Sequence, residues 1–292
     1  MLYFPEKSAS EGAKFALMVD EIHEYMVYVL KEHFGWHSIT DPQLSTGSGH
    51  VVIRFEKDGK RMVFRVPKYG AHQLKRSMLA YRHFGALGFM PEKLYQDGKC
   101  ILESFVEGAP LGSQVRDIVI ADLAKSLSAL HCIPACGFGP LDWGVQGHFA
   151  DANAFYAAQR APTVDRSELD LSAHNSATLN VALAQAQDVP AQLQDAPCFM
   201  AHGDLWRRNI LVNQQNFKII DWDRIGAYPV EFDLGFLFDV EFSFEQRQLF
   251  FTNYAHPVNT ELLKWFANRN VLLNRGLRLE KKLEKIRAIN LS

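Results

Sequence analysis

The sequence is short of the features that mark secreted, membrane-bound or nucleic-acid-binding proteins. It has 4 cysteines in 292 residues, and they are too few and too scattered for a disulfide framework in a chain of this length. Its 31 basic and 33 acidic residues leave a formal net charge of −2. Because this balance gives no overall attraction to polyanions, we expect no nucleic-acid partner and no membrane partner.

Long apolar runs are missing as well. The first residues, MLYFPEKSASEG, do not join a basic start to an apolar core as a secretory signal does. No run approaches the roughly 18 apolar residues that a membrane span needs. The sequence has no internal repeat and no low-complexity tract. We therefore expect a cytoplasmic globular protein, present as a monomer or a weak homodimer.

The first third of the chain has the patterns of a small β-rich lobe behind a leading helix. Apolar residues recur at helical spacing from Glu11 to Phe34. The segment HVVIRFEKDGKRMVFRVPK reads as two strands joined at Asp58 and Gly59, which is a strong hairpin signal. A helix follows from His72 to Phe84, and CILESFVEG reads as a strand that runs into a turn. We assign residues 1–105 to this first lobe.

The remaining residues, 106–292, predict a larger and mainly helical lobe. Ile118 to Leu130 has helical spacing, Cys136 to Gly147 reads as a glycine-rich loop, and a helical insert spans about 150–196. Apolar periodic segments return after Phe236. The whole pattern predicts an α+β fold with two lobes.

One stretch, FMAHGDLWRRNILVNQQNFKIIDWDRIG, concentrates polar groups around two short apolar runs. NILV and FKII flank a turn at Asn213 to Asn216, so they predict a hairpin with Asn209 at its entrance and Asp221 at its exit. Asp204 lies in the loop before the hairpin. Carboxylate and amide oxygens suit a hard cation such as Mg²⁺, which completes its shell with phosphate oxygens and water. This spacing is typical of phosphoryl transfer.

HGDLWRRN followed by IIDWD resembles the catalytic and metal-binding motifs of the aminoglycoside phosphotransferase and choline kinase family. Members are small-molecule kinases with a protein-kinase-like two-lobe fold. STGSGHVVIRF resembles their phosphate-covering hairpin, VFRVP their third strand, ILESFVEG the hinge between lobes and EFDLGFL the segment after the metal-binding Asp. The resemblance covers nearly the whole chain in order, and the paired motifs are its specific part.

The resemblance implies catalytic and metal-binding roles for residues of the second lobe. Asp204 would accept the proton of the substrate hydroxyl or orient that hydroxyl for attack. Asn209 and Asp221 would hold Mg²⁺ on the phosphates of ATP or GTP. Arg207 and Arg208 either neutralise charge on the transferred phosphoryl group or are simply solvated, and we favour Arg208 for the catalytic role.

The resemblance also implies nucleotide-binding roles in the first lobe. Ser48 and the neighbouring backbone amides would cover the phosphates, and Arg65 would pair with them from its strand. The segment that holds Glu103, Phe105 and Val106 would bind the purine through its backbone. Nothing in these residues separates ATP from GTP.

One part of the kinase pattern is missing. Protein kinases pair a strand Lys with a helix Glu, but no acidic residue lies between Gly59 and Pro91, and Ser77 falls near the place of the Glu. In one interpretation Arg65 contacts phosphate directly and needs no carboxylate to hold it. In the other, the protein is a catalytically silent, nucleotide-binding relative. The complete set of catalytic and metal-binding residues favours an active kinase.

The acceptor is expected to be a small molecule with a hydroxyl group, either an aminoglycoside-like antibiotic or a cationic amino alcohol or sugar metabolite. The helical insert and the last helices should determine which acceptor is used. Acidic residues suit a cationic acceptor, and the candidates, which otherwise brace loops or are solvated, are Asp223, Glu231, Asp239 and Glu241.

The sequence offers two alternatives from other classes of protein. A binding protein with a basic surface would use the stretch from Lys60 to Arg82 and the basic tail, but no aromatic residues are interleaved there to support nucleic-acid binding. A metal site would use His131, Cys132 and Cys136, but a zinc site normally needs a second paired cluster.

Overall fold

The structure is a computed structural model that describes residues 11–46, 49–68, 72–112, 114–159, 173–214, 216–237, 242–274 and 277–291. The chain divides into two compact units, Met1–Val106 and Glu107–Ser292. The described residues of the first unit form mainly a β-sheet, and helices dominate the second. This composition confirms the predicted α+β class with a β-rich first part and a mainly helical second part.

The first unit has five strands and two helices among its described residues. The strands are β1 (Thr40–Thr46), β2 (His50–Lys57), β3 (Lys60–Pro67), β4 (Lys93–Gln96) and β5 (Ile101–Ser104), and the helices are α1 (Glu11–Phe34) and α2 (His72–Phe84). The strands form one antiparallel sheet in the order β1-β2-β3-β5-β4. Asp58 and Gly59, with φ of 53° and 74°, make the tight turn between β2 and β3, as the Asp-Gly pair predicts.

The two faces of this sheet have different roles. Met26 and Leu30 of α1 share an apolar core with Phe64 and Leu102. Because side chains alternate along a strand, the residue after Phe64 and the residue after Leu102 point to the opposite face. Those residues are Arg65 and Glu103, so two charged side chains share the face that α1 does not cover.

Strand β1 was not predicted, because the expected sheet began at His50. All of its residues are exposed, its pairing with β2 has an irregularity between Thr40 and Gln43, and it contains Pro42. Proline is tolerated on an edge strand, where its missing N–H breaks no ladder. Because the whole strand is exposed, it lacks the alternation of apolar and polar residues by which a half-buried strand is recognised in a sequence.

The second unit has two small sheets and seven helices among its described residues. Its strands are β6 (Ala109–Pro110), β7 (Phe138–Trp143), β8 (Gln146–Phe149), β9 (Phe199–Ala201), β10 (Ile210–Val212), β11 (Phe217–Ile219) and β12 (Gly226–Tyr228). Its helices are α3 (Asp117–Leu130), α4 (Ala152–Ala158), α5 (Ala173–Gln187), α6 (Val230–Leu237), α7 (Phe244–Asn253), α8 (Thr260–Leu273) and α9 (Leu279–Leu291). The sheet orders are β11-β10-β6 and β8-β7-β12-β9.

The glycine-rich loop predicted for Cys136 to Gly147 is wrong, because most of these residues form the hairpin of β7 and β8. A Cβ atom at Gly147 would lie 2.7 Å from the backbone of Phe138. Glycine there lets the two strands approach closely, and so it serves strand pairing instead of loop flexibility. Strand β7 also pairs with β12, and β12 pairs with β9, which leads into the loop that holds Asp204.

The tail of the chain packs on its own unit, as its amphipathic pattern predicts. Leu283 and Ile286 of α9 are buried in a cluster with Leu179 of α5 and Val271 of α8. The apolar face of this basic helix is therefore covered by its own unit. Among the described residues, no helix is both long enough and apolar enough to cross a membrane.

Candidate active site

Asp204 lies in a tight loop between β9 and β10, and its side chain is partly exposed. Gly203, directly before it, has a φ of 80°, and a Cβ atom there would lie 2.1 Å from the carbonyl oxygen of Arg224. Only glycine fits this position. Beyond Asp204 the chain turns sharply, because the N–H of Trp206 donates to the Asp204 carbonyl at 2.8 Å.

Asn209 ties the loop of Asp204 to the hairpin of β10 and β11. Its side-chain Nδ2 donates to the carbonyl oxygen of Asp204 at 2.8 Å and lies 3.4 Å from the Asp204 Oδ2 atom. Its own carbonyl accepts the N–H of Ile220 at 2.8 Å. Since Nδ2 is used to hold the loop, Oδ1 is the Asn209 side-chain atom suited to bind a cation.

Asp221 follows β11 and has an uncommon backbone conformation. Its φ of 66° and ψ of 58° are left-handed, a region that costs a residue other than glycine about 1 kcal/mol or more. A carboxylate oxygen of Asp221 and one of Asp223 lie within 4.8 Å of each other. Trp222 between them is buried and donates from Nε1 to the carbonyl of Ile219 at 2.7 Å. This anchor fixes a turn that brings two carboxylates together.

His202 orients the loop of Asp204 through contacts of both nitrogens of its ring. The side chain is fully buried, Nδ1 accepts the N–H of Asp204 at 3.2 Å, and Nε2 lies 3.0 Å from the carbonyl oxygen of Ile220. These partners require the tautomer with hydrogen on Nε2. One ring therefore connects the loop of Asp204 with the residue before Asp221.

Asp233 of α6 braces the same loop from a fully buried position. Its Oδ2 accepts the N–H of His202 at 2.6 Å, and its Oδ1 accepts the N–H of Gly203 at 2.9 Å. Burial by itself raises the pKa of Asp233, but the hydrogen bond and charge of His131, with smaller contributions from His202 and Gly203, hold the pKa below its usual range. Asp233 is therefore an anchored carboxylate that serves the backbone.

The metal alternative for His131, Cys132 and Cys136 does not fit these contacts. His131 is fully buried, with Nε2 at 3.2 Å from Asp233 Oδ2 and Nδ1 at 2.6 Å from the hydroxyl of Tyr254. Both ring nitrogens thus have partners within the fold. The two cysteines are exposed free thiols.

Replacing Asp233 with asparagine should lower the free energy of unfolding by about 3 kcal/mol at neutral pH, the scale for breaking a buried charged pair. The new side-chain NH₂ group would face a backbone N–H, so two donors would meet where one acceptor is needed. Chemical denaturation measures the difference. Asp122→Asn, a change at a half-exposed surface ion pair with Lys125 on α3, is the matched control and should alter the stability by less than about 0.5 kcal/mol.

The pH dependence of this effect has a definite sign. Because the pKa of Asp233 is lowered in the folded protein, its contribution is present above the ordinary Asp value of about 3.9 and is lost as the pH falls through the folded pKa. The gap between wild type and Asp233→Asn should therefore be full at pH 6 to 8 and shrink in acid. A gap that stayed constant with pH would contradict an ionised Asp233.

In the first unit a carboxylate holds Arg65, contrary to the interpretation in which Arg65 acts without one. Its Nε donates to Glu103 Oε2 at 2.8 Å, and its Nη2 donates to Glu103 Oε1 at 2.9 Å. The register pairs Arg65 with Ile101, so Glu103 lies one diagonal step away on the same face of the sheet. The partner comes from strand β5, outside the interval from Gly59 to Pro91 that has no acidic residue.

Three other residues predicted to bind nucleotide, Glu103, Phe105 and Val106, lie in β5 or directly after it. The N–H of Phe105 donates to the carbonyl of Arg61 at 3.0 Å, and the guanidinium of Arg61 lies 4.7 Å from the centre of the Phe105 ring. The Phe105 amide is thus engaged within its own unit, and the purine contacts of Glu103 and Val106 stay predictions. Ser48 lies outside the described residues.

Arg208 and the acidic candidates of the second unit differ in their surroundings. Arg208 is exposed, with its guanidinium 5.7 Å from the Trp206 ring centre, so its catalytic role stays a prediction. Glu231 is buried and accepts the N–H of Asn259 at 2.6 Å, and burial raises its pKa. It therefore braces the start of α8. Asp223 is buried beside Asp221, whereas Asp239 and Glu241 lie outside the described residues.

A family model described as the phosphotransferase enzyme family matches residues 42–264. That range includes each residue to which a catalytic, metal-binding or nucleotide-binding role was assigned from the sequence. No curated protein matches the chain in sequence.

Solved structures of small-molecule kinases share the fold. A thermostable mutant of the aminoglycoside phosphotransferase APH(4)-Ia, in a ternary complex with AMP-PNP and hygromycin B, matches with a TM-score of 0.61 at 20% identity, covering 90% of this chain and 96% of that one. Spectinomycin phosphotransferase APH(9)-Ia with ADP and spectinomycin matches at 0.58 and 17%, covering 92% and 93%. The choline kinase LicA from Streptococcus pneumoniae matches at 0.57 and 13%, covering 92% and 90%.

Proposed function

The chain belongs to the phosphotransferase enzyme family, and we propose that it moves the γ-phosphate of ATP or GTP to a hydroxyl group of a small molecule. The observation that carries the proposal is the contact of the Asn209 amide with Asp204, at the entrance of a hairpin whose exit is Asp221. A proton acceptor and two oxygen ligands are thereby placed in one loop and at the two ends of the hairpin that follows it. This is the set of groups that phosphoryl transfer requires.

In the proposed reaction the hydroxyl oxygen of the acceptor attacks the γ-phosphorus. The bond from the γ-phosphorus to the oxygen bridging it to the β-phosphate breaks, and the nucleoside diphosphate leaves with the electron pair. Asp204 orients the hydroxyl and takes up its proton. Its partly exposed carboxylate suits this role, and its backbone is fixed by His202 and Asn209. Arg208 would offset charge on the transferred group.

Asn209 and Asp221 would hold Mg²⁺ at the nucleotide phosphates. The donor set fits the ion, because carboxylate and amide oxygens are hard ligands and the nearby carboxylate of Asp223 adds negative charge. When bound, the ion would offset the negative charge of the phosphates. Arg65 would bind phosphate from the first unit, together with the amides around Ser48, and the segment from Glu103 to Val106 would bind the purine.

The acceptor is proposed to be an aminoglycoside-like antibiotic or a cationic amino alcohol or sugar. Hygromycin B and spectinomycin are bound by structural neighbours, and another neighbour is a choline kinase. The catalytically silent alternative depends on the absence of a carboxylate partner for Arg65, and Glu103 supplies that partner. We place the protein in the cytoplasm, where nucleoside triphosphates are supplied, as a monomer or a weak homodimer.

A panel of acceptors tests the proposal. Release of ADP or GDP is measured in the presence of Mg²⁺ with hygromycin B, spectinomycin, other hydroxylated antibiotics, choline-like alcohols and sugars, and products are identified by mass spectrometry. We expect at least one acceptor to stimulate release and to gain one phosphoryl group. A protein that binds neither Mg²⁺-AMP-PNP nor Mg²⁺-GMP-PNP would contradict the proposal.

A further inference from the structure

We propose that Glu103 and Tyr81 are positioning residues that hold Arg65 for the nucleotide phosphates, so that a strand carboxylate replaces the helix carboxylate of the protein-kinase pattern. The inference rests on the proposed function, in which Arg65 binds phosphate. It goes beyond that function because it assigns roles to two side chains that touch no substrate. All three residues belong to the first unit.

The geometry of the pair is that of a planar, two-point contact. Nε and Nη2 of Arg65 donate to the two carboxylate oxygens of Glu103 at 2.8 and 2.9 Å. Arg65 is 8% exposed and Glu103 is 5% exposed. A two-point contact fixes the plane of the guanidinium as well as its distance. It uses two of the five N–H donors of the group.

Helix α2 contributes a neutral donor to the pair. The hydroxyl of Tyr81 donates to Glu103 Oε1 at 2.5 Å, so this oxygen receives both the phenol and Nη2 of Arg65. Burial, followed by the charge and hydrogen bond of Glu103, raises the pKa of Tyr81 well above its usual range. The phenol therefore keeps its proton at physiological pH. Glu103 is thus held by helix α2 on one side and by strand β3 on the other.

The helix itself offers no carboxylate for Arg65. Its sequence, HQLKRSMLAYRHF, has no acidic residue. Ser77 lies one turn before Tyr81, on the same side of the helix, is fully buried, and has no hydrogen-bond partner for its Oγ in the described part of the chain. Glu103 of strand β5 instead supplies the negative charge that the buried guanidinium of Arg65 requires.

The test is the affinity for Mg²⁺-AMP-PNP divided by the affinity for adenosine. If wild type prefers guanine nucleotides, Mg²⁺-GMP-PNP and guanosine are used instead. A residue that positions Arg65 for phosphate changes this ratio, whereas a residue that only stabilises the fold changes both affinities alike. We expect the ratio to fall about tenfold in Glu103→Gln and about threefold in Tyr81→Phe. Calorimetry measures both affinities on the full-length protein.

Tyr25→Phe is the matched control. Tyr25 also donates its hydroxyl to a carboxylate of the first unit, that of the partly buried Asp97, and this contact does not involve Arg65. Its removal should leave the affinity ratio unchanged, even though a hydrogen bond of the same chemistry is lost. A fall in the ratio as large as that of Tyr81→Phe would overturn the inference.

The variants also separate this inference from the function on which it rests. If Arg65→Gln lowers the ratio and neither Glu103→Gln nor Tyr81→Phe does, the positioning role is wrong while the kinase proposal stands. If wild type binds no nucleotide, the proposed function fails and the inference fails with it. Should Glu103→Gln not fold, Tyr81→Phe decides alone, since it keeps the ring and both charges of the pair. A double variant, Arg65→Gln with Glu103→Gln, should show no further loss beyond Arg65→Gln.

Discussion

Replacing Asp204 with asparagine is expected to lower kcat roughly a thousandfold, within the range that general acid–base catalysis contributes, while the affinity for Mg²⁺-nucleotide stays nearly unchanged. The change removes the proton acceptor but almost none of the volume. The loop should keep its shape, because the main contact of Asn209 is with the backbone carbonyl of Asp204. The measurement is the initial rate with the acceptor found in the panel, beside a nucleotide titration.

Asp195→Asn provides the comparison for this change. Asp195 is exposed, lies in the same unit and precedes Asp204 by a short stretch of chain. It should keep the wild-type rate. A fall in kcat of less than about tenfold in Asp204→Asn would remove Asp204 from the chemistry, because a proton acceptor in the transition state contributes more than this.

Replacing Asp221 with asparagine should lower kcat/KM about a thousandfold or more, since metal-ion stabilisation contributes several kcal/mol. The expected cause is loss of Mg²⁺ at the phosphates. Asparagine tolerates left-handed backbone, so the turn at Asp221, with its φ of 66°, should not be disturbed. The measurement is the gain in AMP-PNP affinity on addition of Mg²⁺, which wild type should show and the variant should lose.

Asp223→Asn completes this comparison. Its carboxylate lies within 4.8 Å of that of Asp221, so it alters the local charge by the same amount without being the proposed ligand. We expect it to weaken the Mg²⁺ effect without abolishing it. If Asp223→Asn abolished the gain in AMP-PNP affinity on addition of Mg²⁺ and Asp221→Asn did not, Asp223 and not Asp221 would be the metal ligand.

The active-site loop was predictable from the sequence because its constraints are local. Asn209 and Asp221 flank two short apolar runs with a polar turn between them, and the observed register pairs Ile210 with Ile219. The spacing alone therefore sets which polar groups meet.

The partner of Arg65 was not predictable, because it depends on contacts between segments far apart in the chain. Glu103 is 38 positions from Arg65, and only the register of β3 against β5 puts them on a common diagonal. The hairpin of β7 and β8 was missed for a related reason. Its glycines, such as Gly147, are set by close contact with a neighbouring strand, a constraint that composition does not separate from loop flexibility.

The network around Asp233 has a consequence for how the protein should respond to heat. The backbone amides of His202 and Gly203 are satisfied by a side chain of α6, and His131 connects that carboxylate to Tyr254, 123 positions along the chain from His131. If the loop loosened, those two donors would lose their acceptor in the interior of the unit, so the loop should not loosen before its surroundings do. Thermal inactivation should therefore coincide with global unfolding of the helical unit, without an earlier phase in which a folded protein has lost its activity.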